Sequence, residues 1–312
     1  MTSNSQAIPT AVRTAVREAL RLIEQTRPGT GSAAATLDPD PLPSLLEQCG
    51  RLAGIGEARE AEPIRTVHHF ACTGGTVLIK CLACSPNIQV LSELDPLSSM
   101  TSEATLFTPT DLIQLLQHGN REVSEEEKIE LFMAGFSALY DSALGKGLRI
   151  LIRDHTHSHF CVGDQVPSRP TLRQIIAAKY RTLSVITVRH PLDSWLSLVH
   201  NHWVDFNPGT LEEYAKRYLL FLEHYPASRV FKYEDFVEDP DDFLAAICSE
   251  LRIPEPNDYR ELFTAHRFSG DSGRQGSIIE ARKRRPVTDE VSAMVSRSTS
   301  FRELCGKLGY AI

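Results

Sequence analysis

Along residues 61–312, short apolar runs alternate with longer stretches in which apolar positions return every three or four residues. That alternation predicts a mainly parallel sheet covered by helices, a three-layer α/β/α fold. The runs place strands at Val67–Cys72, Ile88–Leu91, Leu148–Ile152, Leu183–Val188 and Arg229–Tyr233. Helical periodicity covers Gly75–Cys84, Asp111–His118, Ser124–Leu144, Leu172–Lys179, Leu192–His202, Leu211–His224 and Pro240–Leu251. Ahead of this body, Val12, Val16, Leu20 and Ile23 form the apolar stripe of an amphipathic helix over 11–25. A Pro-, Gly- and Ala-rich connection over 27–43 and a short helix near 45–52 follow. The expected organisation is a helical N-terminal extension over 1–60 and an α/β domain over 61–312, with no internal repeat.

Composition narrows the classes. Of 312 residues, 42% are hydrophobic and 23% charged, which argues against a disordered or fibrous chain. Lys and Arg number 33 against 40 Asp and Glu, a formal charge of −7, so no net field favours nucleic acid or anionic membranes. Any anion must be bound by local arrangement. No run approaches the length of a membrane span, and the polar start MTSNSQAIPT lacks the plan of a signal peptide, so the expected location is cytoplasmic. The odd count of 7 cysteines points to reduced thiols rather than a disulfide framework.

Two segments carry chemistry. In HHFACTGGTVLIKCLA, residues 68–83, a strand meets Thr73, Gly74, Gly75 and Thr76 and then an apolar helix. Paired glycines permit a tight turn, and the first amides of a helix aim positive dipole ends at an anion. An ordinary strand-to-helix turn fits the same letters. The ATP-loop pattern GxxxxGK[ST] is missing, because no lysine directly follows Gly75. In SVITVRHPLDSWLSLVHNHW, residues 184–203, a strand ends at Val188, Arg189 and Pro191 open a helix, and Ser197 follows the arginine by eight positions. Proline suits the first helical turn, and arginine offers a planar fork to a phosphate; an arginine salt bridge beside a helix start is the plainer alternative.

Together these segments resemble the sulfotransferases that use 3′-phosphoadenosine 5′-phosphosulfate (PAPS) as sulfuryl donor. The resemblance spans roughly residues 66–290 and implies their P-loop-like fold. CTGGT at 72–76 is similar, from Thr73 onward, to the family's [KR]-[ST]-G-[GST]-T loop for the 5′-phosphosulfate. Arg189, Pro191 and Ser197 match its R-x-P-x-x-x-x-x-S signature for the 3′-phosphate. VFKYEDFVEDPDDFLAAICSELRIP, residues 230–254, resembles a later strand and helix, and SGDSGRQGS, residues 269–277, a late basic glycine loop that makes Arg274 a second 3′-phosphate contact. The departure is Cys72, which stands where the family has Lys or Arg and carries no such charge. Lys80, Arg153 or a histidine is left to supply it, or the site is impaired.

The resemblance further implies sulfuryl transfer to the hydroxyl of a small molecule, carbohydrate or lipid, with adenosine 3′,5′-bisphosphate as product and no metal required. Glu93, just past the second strand, is the first choice of general base, with Asp95 as fallback. His155 and Thr156 read as substrate-side contacts; His155, His157 and His159 in alternation would instead suit a metal if they shared one strand face. Cys81 and Cys84 read as buried packing rather than a redox pair, Trp195 and Trp203 as helical core or surface packing with adenine stacking as the alternative, and the basic run 282–286 as a positive wall or a solvated stretch. Two other functions stay open: an ATP-dependent small-molecule kinase, which needs a loop lysine and a Mg²⁺ carboxylate, and a catalytically silent nucleotide-binding scaffold.

Overall fold

The structure is a computed structural model that describes residues 61–100, 109–268, 279–281 and 283–312. The helices expected over 11–25 and 45–52, the connection between them, the loop 269–277 with Arg274, and Arg282 lie outside the described residues.

Five strands form the sheet: β1 (Ile64–His69), β2 (Ile88–Leu94), β3 (Arg149–Asp154), β5 (Thr182–Val188) and β7 (Arg229–Lys232). Their order is β2-β3-β1-β5-β7 and every pairing is parallel. Two-residue strands β4 (Val162–Gly163) and β6 (Asp205–Phe206) pair separately. The chain runs from central β1 to one edge, returns through β3 and then crosses to β5 on the other side. That reversal opens a crevice beyond the carboxyl ends of the central strands.

Helices cover both faces, which gives the three layers that the periodicity predicts. On one face, Val67, Leu151, Val185 and Phe231 pack under α1 (Gly75–Leu82) and α9 (Pro240–Leu251). On the other, Ile64, Ile150 and Ile152 meet α3 (Glu125–Gly145) and α5 (Leu172–Ala177). Between β2 and β5 also lie α2 (Leu112–Gln117) and α4 (Thr156–Phe160). An aromatic core around Phe70 joins α6 (Pro191–His200) to α7 (Leu211–His224), then α8 (Tyr233–Glu238) follows β7. The C-terminal part supplies α10 (Tyr259–Leu262), α11 (Asp289–Arg297) and α12 (Thr299–Leu308), whose Phe301, Leu304 and Leu308 complete that core.

Helix starts follow local chemistry. Ser124 and Glu127 form a reciprocal capping box before α3, and Pro191 and Pro240 occupy the first turns of α6 and α9. The first strand differs from expectation: it begins at Ile64 and ends at His69, not Cys72. Arg65 and Thr66 look like solvent residues in sequence, yet both are buried. Arg65 donates to the carbonyls of Leu251 (2.9 Å) and Pro63 (2.8 Å), and Thr66 shares a 2.7 Å hydrogen bond with Ser184. Downstream, Cys72 and Gly74 take φ values of 61° and 89°, which strand backbone cannot continue through. No helix among the described residues is long and apolar enough to cross a membrane.

Candidate functional site

The turn after β1 is built by close contact. A methyl group on Gly74 would lie 2.3 Å from the Tyr233 ring, and one on Gly75 would lie 2.5 Å from Cδ2 of His69. Gly74 also occupies the left-handed region that glycine enters at no cost. The two glycines therefore let α1 start wedged between an aromatic ring and an imidazole. Gly74 caps α1 without a side-chain acceptor, and the first turn holds no acid, so the helix opens on backbone amides.

A cavity of about 320 Å³ lies over this turn, within the usual range for small-molecule sites. Thr73, Gly74, Gly75 and Thr76 line it together with Arg189 and Ser197, with Glu93 near the end of β2 and with His155 just beyond β3. Segments far apart in sequence thus share one enclosure. Lys80, Arg153, Arg189 and Arg285 bring positive charge to it, against Glu93 and Asp205. In a chain of formal charge −7 this is a local concentration of cations. Met100, Trp203, Tyr233 and Phe263 add apolar wall.

Individual placements refine the picture. The Arg189 guanidinium reaches the loop itself, donating from Nη1 to the Cys72 carbonyl at 3.4 Å and stacking 5.1 Å from the centre of the Tyr233 ring. Ser197 donates back to the Asp193 carbonyl one turn earlier at 2.8 Å. Thr73 is buried and donates to the Phe70 carbonyl at 2.8 Å, so its hydroxyl hydrogen closes the turn. Burial pushes the Cys72 thiol up to about 11 despite the nearby Arg189, so a neutral thiol stands at the loop entrance. Lys80 and Arg153, the two cations named for its missing charge, both line the cavity.

Glu93 sits on a bulge where the register of β2 against β3 shifts, with a left-handed φ of 57°. A non-glycine residue there stores strain, a feature that concentrates at functional sites. Arg153 Nη2 lies 3.1 Å from Glu93 Oε1, with both side chains largely buried.

Several expectations need correction. Asp95 does not line the cavity: both its oxygens are taken by Arg169, at 3.0 and 2.7 Å, and by the Ser158 hydroxyl, which makes it a buried structural ion pair. Thr156 is 1% exposed and donates to the His69 carbonyl, away from the cavity lining. His155, His157 and His159 do not alternate across a strand, because residues 156–160 coil into α4. His155 and His157 face the cavity, whereas His159 is turned against Phe160 and His224. Of the tryptophans, Trp195 is core, packed on Phe206 and Tyr214, and Trp203 borders the cavity. In the basic run, Arg284 forks onto Asp193 at 2.8 and 3.2 Å and Arg285 lines the cavity. Sequence reasoning assigned no role to His69, Asn201, Tyr233 or Asp205; of these, His69 carried a signal, a histidine at the end of the strand that feeds the glycine turn.

No family model matches the chain, and no curated protein matches it. Among solved structures, the crystal structure of mouse sulfotransferase SULT7A1 complexed with PAP covers 83% of this chain and 93% of its own, at 15% identity and a TM-score of 0.39. A likeness that distant is a likeness only.

Proposed function

We propose that this chain transfers the sulfuryl group of PAPS to an acceptor hydroxyl. The observation that carries the reading is the convergence of the glycine turn 73–76 with Arg189 and Ser197, 113 or more positions later, on one cation-lined cavity. The donor set suits an anion with phosphate groups at two ends: the N-terminal amides of α1 and Lys80 at one side, Arg189 and Arg285 as planar forks. When bound, the nucleotide would supply the activated sulfuryl group. The residues around it would orient it and neutralise charge on the departing phosphate, which is where catalysis of such a displacement resides.

In this reading Thr73–Thr76 hold the phosphosulfate, Arg189, Ser197 and Arg274 the 3′-phosphate, and Glu93 takes the acceptor proton with His155 beside it. Cys72 stays a neutral wall, and the cations Lys80 and Arg153 serve in place of the family's loop lysine.

The test is thermal stability of the full chain with adenosine 3′,5′-bisphosphate, ADP, or ATP plus Mg²⁺. Ligand at about 100 times its Kd adds about 2.7 kcal/mol, several degrees for a protein of this size at about 2–4 °C per kcal/mol. Stabilisation by the bisphosphate alone, lost in Arg189→Ala, supports the proposal. A response to ATP plus Mg²⁺ alone replaces it with a kinase, and silence from all three leaves a scaffold.

A further inference from the structure

His69 closes β1 directly beneath the glycine turn and is 8% exposed. The residue is held at three points, two on its ring and one on its main chain. Gly75 lies against it so closely that a methyl there would sit 2.5 Å from Cδ2 and 2.9 Å from Nε2, and its own carbonyl accepts from Thr156. The third contact is chemical: Arg153 Nε lies 3.3 Å from His69 Nε2. A guanidinium only donates, so Nε2 is the acceptor and the ring proton belongs on Nδ1. Nδ1 is buried and has no hydrogen-bond partner.

Burial, and then Arg153 of β3, His155 beyond it, His68 of β1 and His157 of α4, hold His69 well below the ordinary histidine value. The ring is therefore neutral, which an acceptor of Arg153 must be. Arg153, 4% exposed, has its guanidinium divided among Nε to His69, Nη1 to the Ser92 hydroxyl at 3.2 Å and Nη2 to Glu93 at 3.1 Å. Glu93 in turn occupies backbone that its own side chain disfavours, so its position is imposed by what surrounds it.

We propose that His69 is a positioning residue: its Nε2 fixes the plane of the Arg153 guanidinium, and through it the orientation of the Glu93 carboxylate over the glycine turn. The relay from imidazole to guanidinium to carboxylate needs no bound ligand. That this orientation serves turnover rests on the sulfuryl-transfer reading; the relay itself does not.

Nuclear magnetic resonance on the full-length protein tests it, with ¹⁵N-histidine, ¹⁵N-arginine and ¹³C-glutamate labels. His69 in the wild type is expected as the neutral Nδ1–H tautomer from pH 8 to 5.5, and the Arg153 Nε–H as slowly exchanging. His69→Leu, which removes the acceptor, should speed that exchange by about tenfold or more and shift the Glu93 ¹³Cδ resonance. His69→Gln, whose amide oxygen reaches the position of Nε2, should restore both. An Nε2–H tautomer, or exchange and Glu93 shift equal in all three proteins, overturns the proposal. If the leucine variant does not fold, the wild-type tautomer and the glutamine variant decide it. Thermal response to adenosine 3′,5′-bisphosphate is read in parallel: its absence with the relay intact removes the functional reading and leaves the relay standing.

Discussion

His159 offers a test of the packing that is independent of the cavity. It lies on α4 at 4% exposure, its ring 4.5 Å from that of Phe160 and 6.0 Å from that of His224, and neither ring nitrogen has a hydrogen-bond partner. Burial, followed by the Arg169 charge, lowers it from 6.5 to about 4. Between those values the unfolded chain binds a proton that the folded one refuses. The sign is thus fixed: the stability this group permits is complete above pH 6.5 and is lost as pH falls toward 4. At pH 4.5 the difference amounts to about 2–3 kcal/mol. The perturbation is His159→Leu, a side chain of similar bulk that cannot titrate. Urea unfolding of both proteins at pH 7.5 and pH 4.5 gives four free energies. At pH 7.5 the variant should lie within about 1 kcal/mol of the wild type, because lost ring contacts offset the removal of two unpaired polar atoms. From pH 7.5 to 4.5 the wild type should lose about 2–3 kcal/mol more than the variant. His157, also lowered to about 4, titrates in both proteins and cancels in the comparison. Parallel losses would mean that His159 takes up its proton without unfolding, and the burial argument would fail.

Gly75→Ala should destabilise the fold by about 1–3 kcal/mol in urea unfolding and remove the thermal response to adenosine 3′,5′-bisphosphate, because the new methyl meets His69 at 2.5 Å. Gly135→Ala, exposed on α3 with open space around it, is the control and should gain up to about 1 kcal/mol; equal effects at the two sites would refute the wedge. Cys72, pushed up to about 11 by burial, should alkylate with iodoacetamide at pH 7.5 on the order of 100-fold more slowly than an ordinary thiol, with a rate still climbing beyond pH 10. Peptide mapping that finds it the fastest-reacting cysteine at neutral pH would contradict its burial.

Periodicity carried the architecture because a parallel sheet covered on both faces needs continuous apolar strands, and those are the runs the chain displays. β5, α7 and α9 lie within a residue of where the pattern places them. The pattern failed where polarity and burial part company. Arg65, Thr66 and His68 are polar letters on a central strand, paid for by hydrogen bonds to residues as remote as Leu251 and Asp154. In the C-terminal part, α11 has no buried residue, and α12 hides only a narrow apolar side, so neither stood out from its flanks.

The candidate site divides in the same way. Local chemistry marked the glycine turn and the arginine-proline-serine helix start as candidates, since turn geometry, helix amides and a planar cation are properties of a few adjacent residues, and the family resemblance joined the two. Which of two neighbouring acids faces the cavity was not local: Glu93 turns inward on a bulge and Asp95 is consumed by Arg169, a partner 74 positions away. Nor was the fate of three alternate histidines, which depended on whether residues 156–160 extended or coiled. The pairing of His69 with Arg153 spans 84 positions and exists only because β1 and β3 are neighbours in the sheet. Short-range sterics and hydrogen bonding set what each segment is; strand order sets which segments meet, and the chemistry of this cavity is made of such meetings.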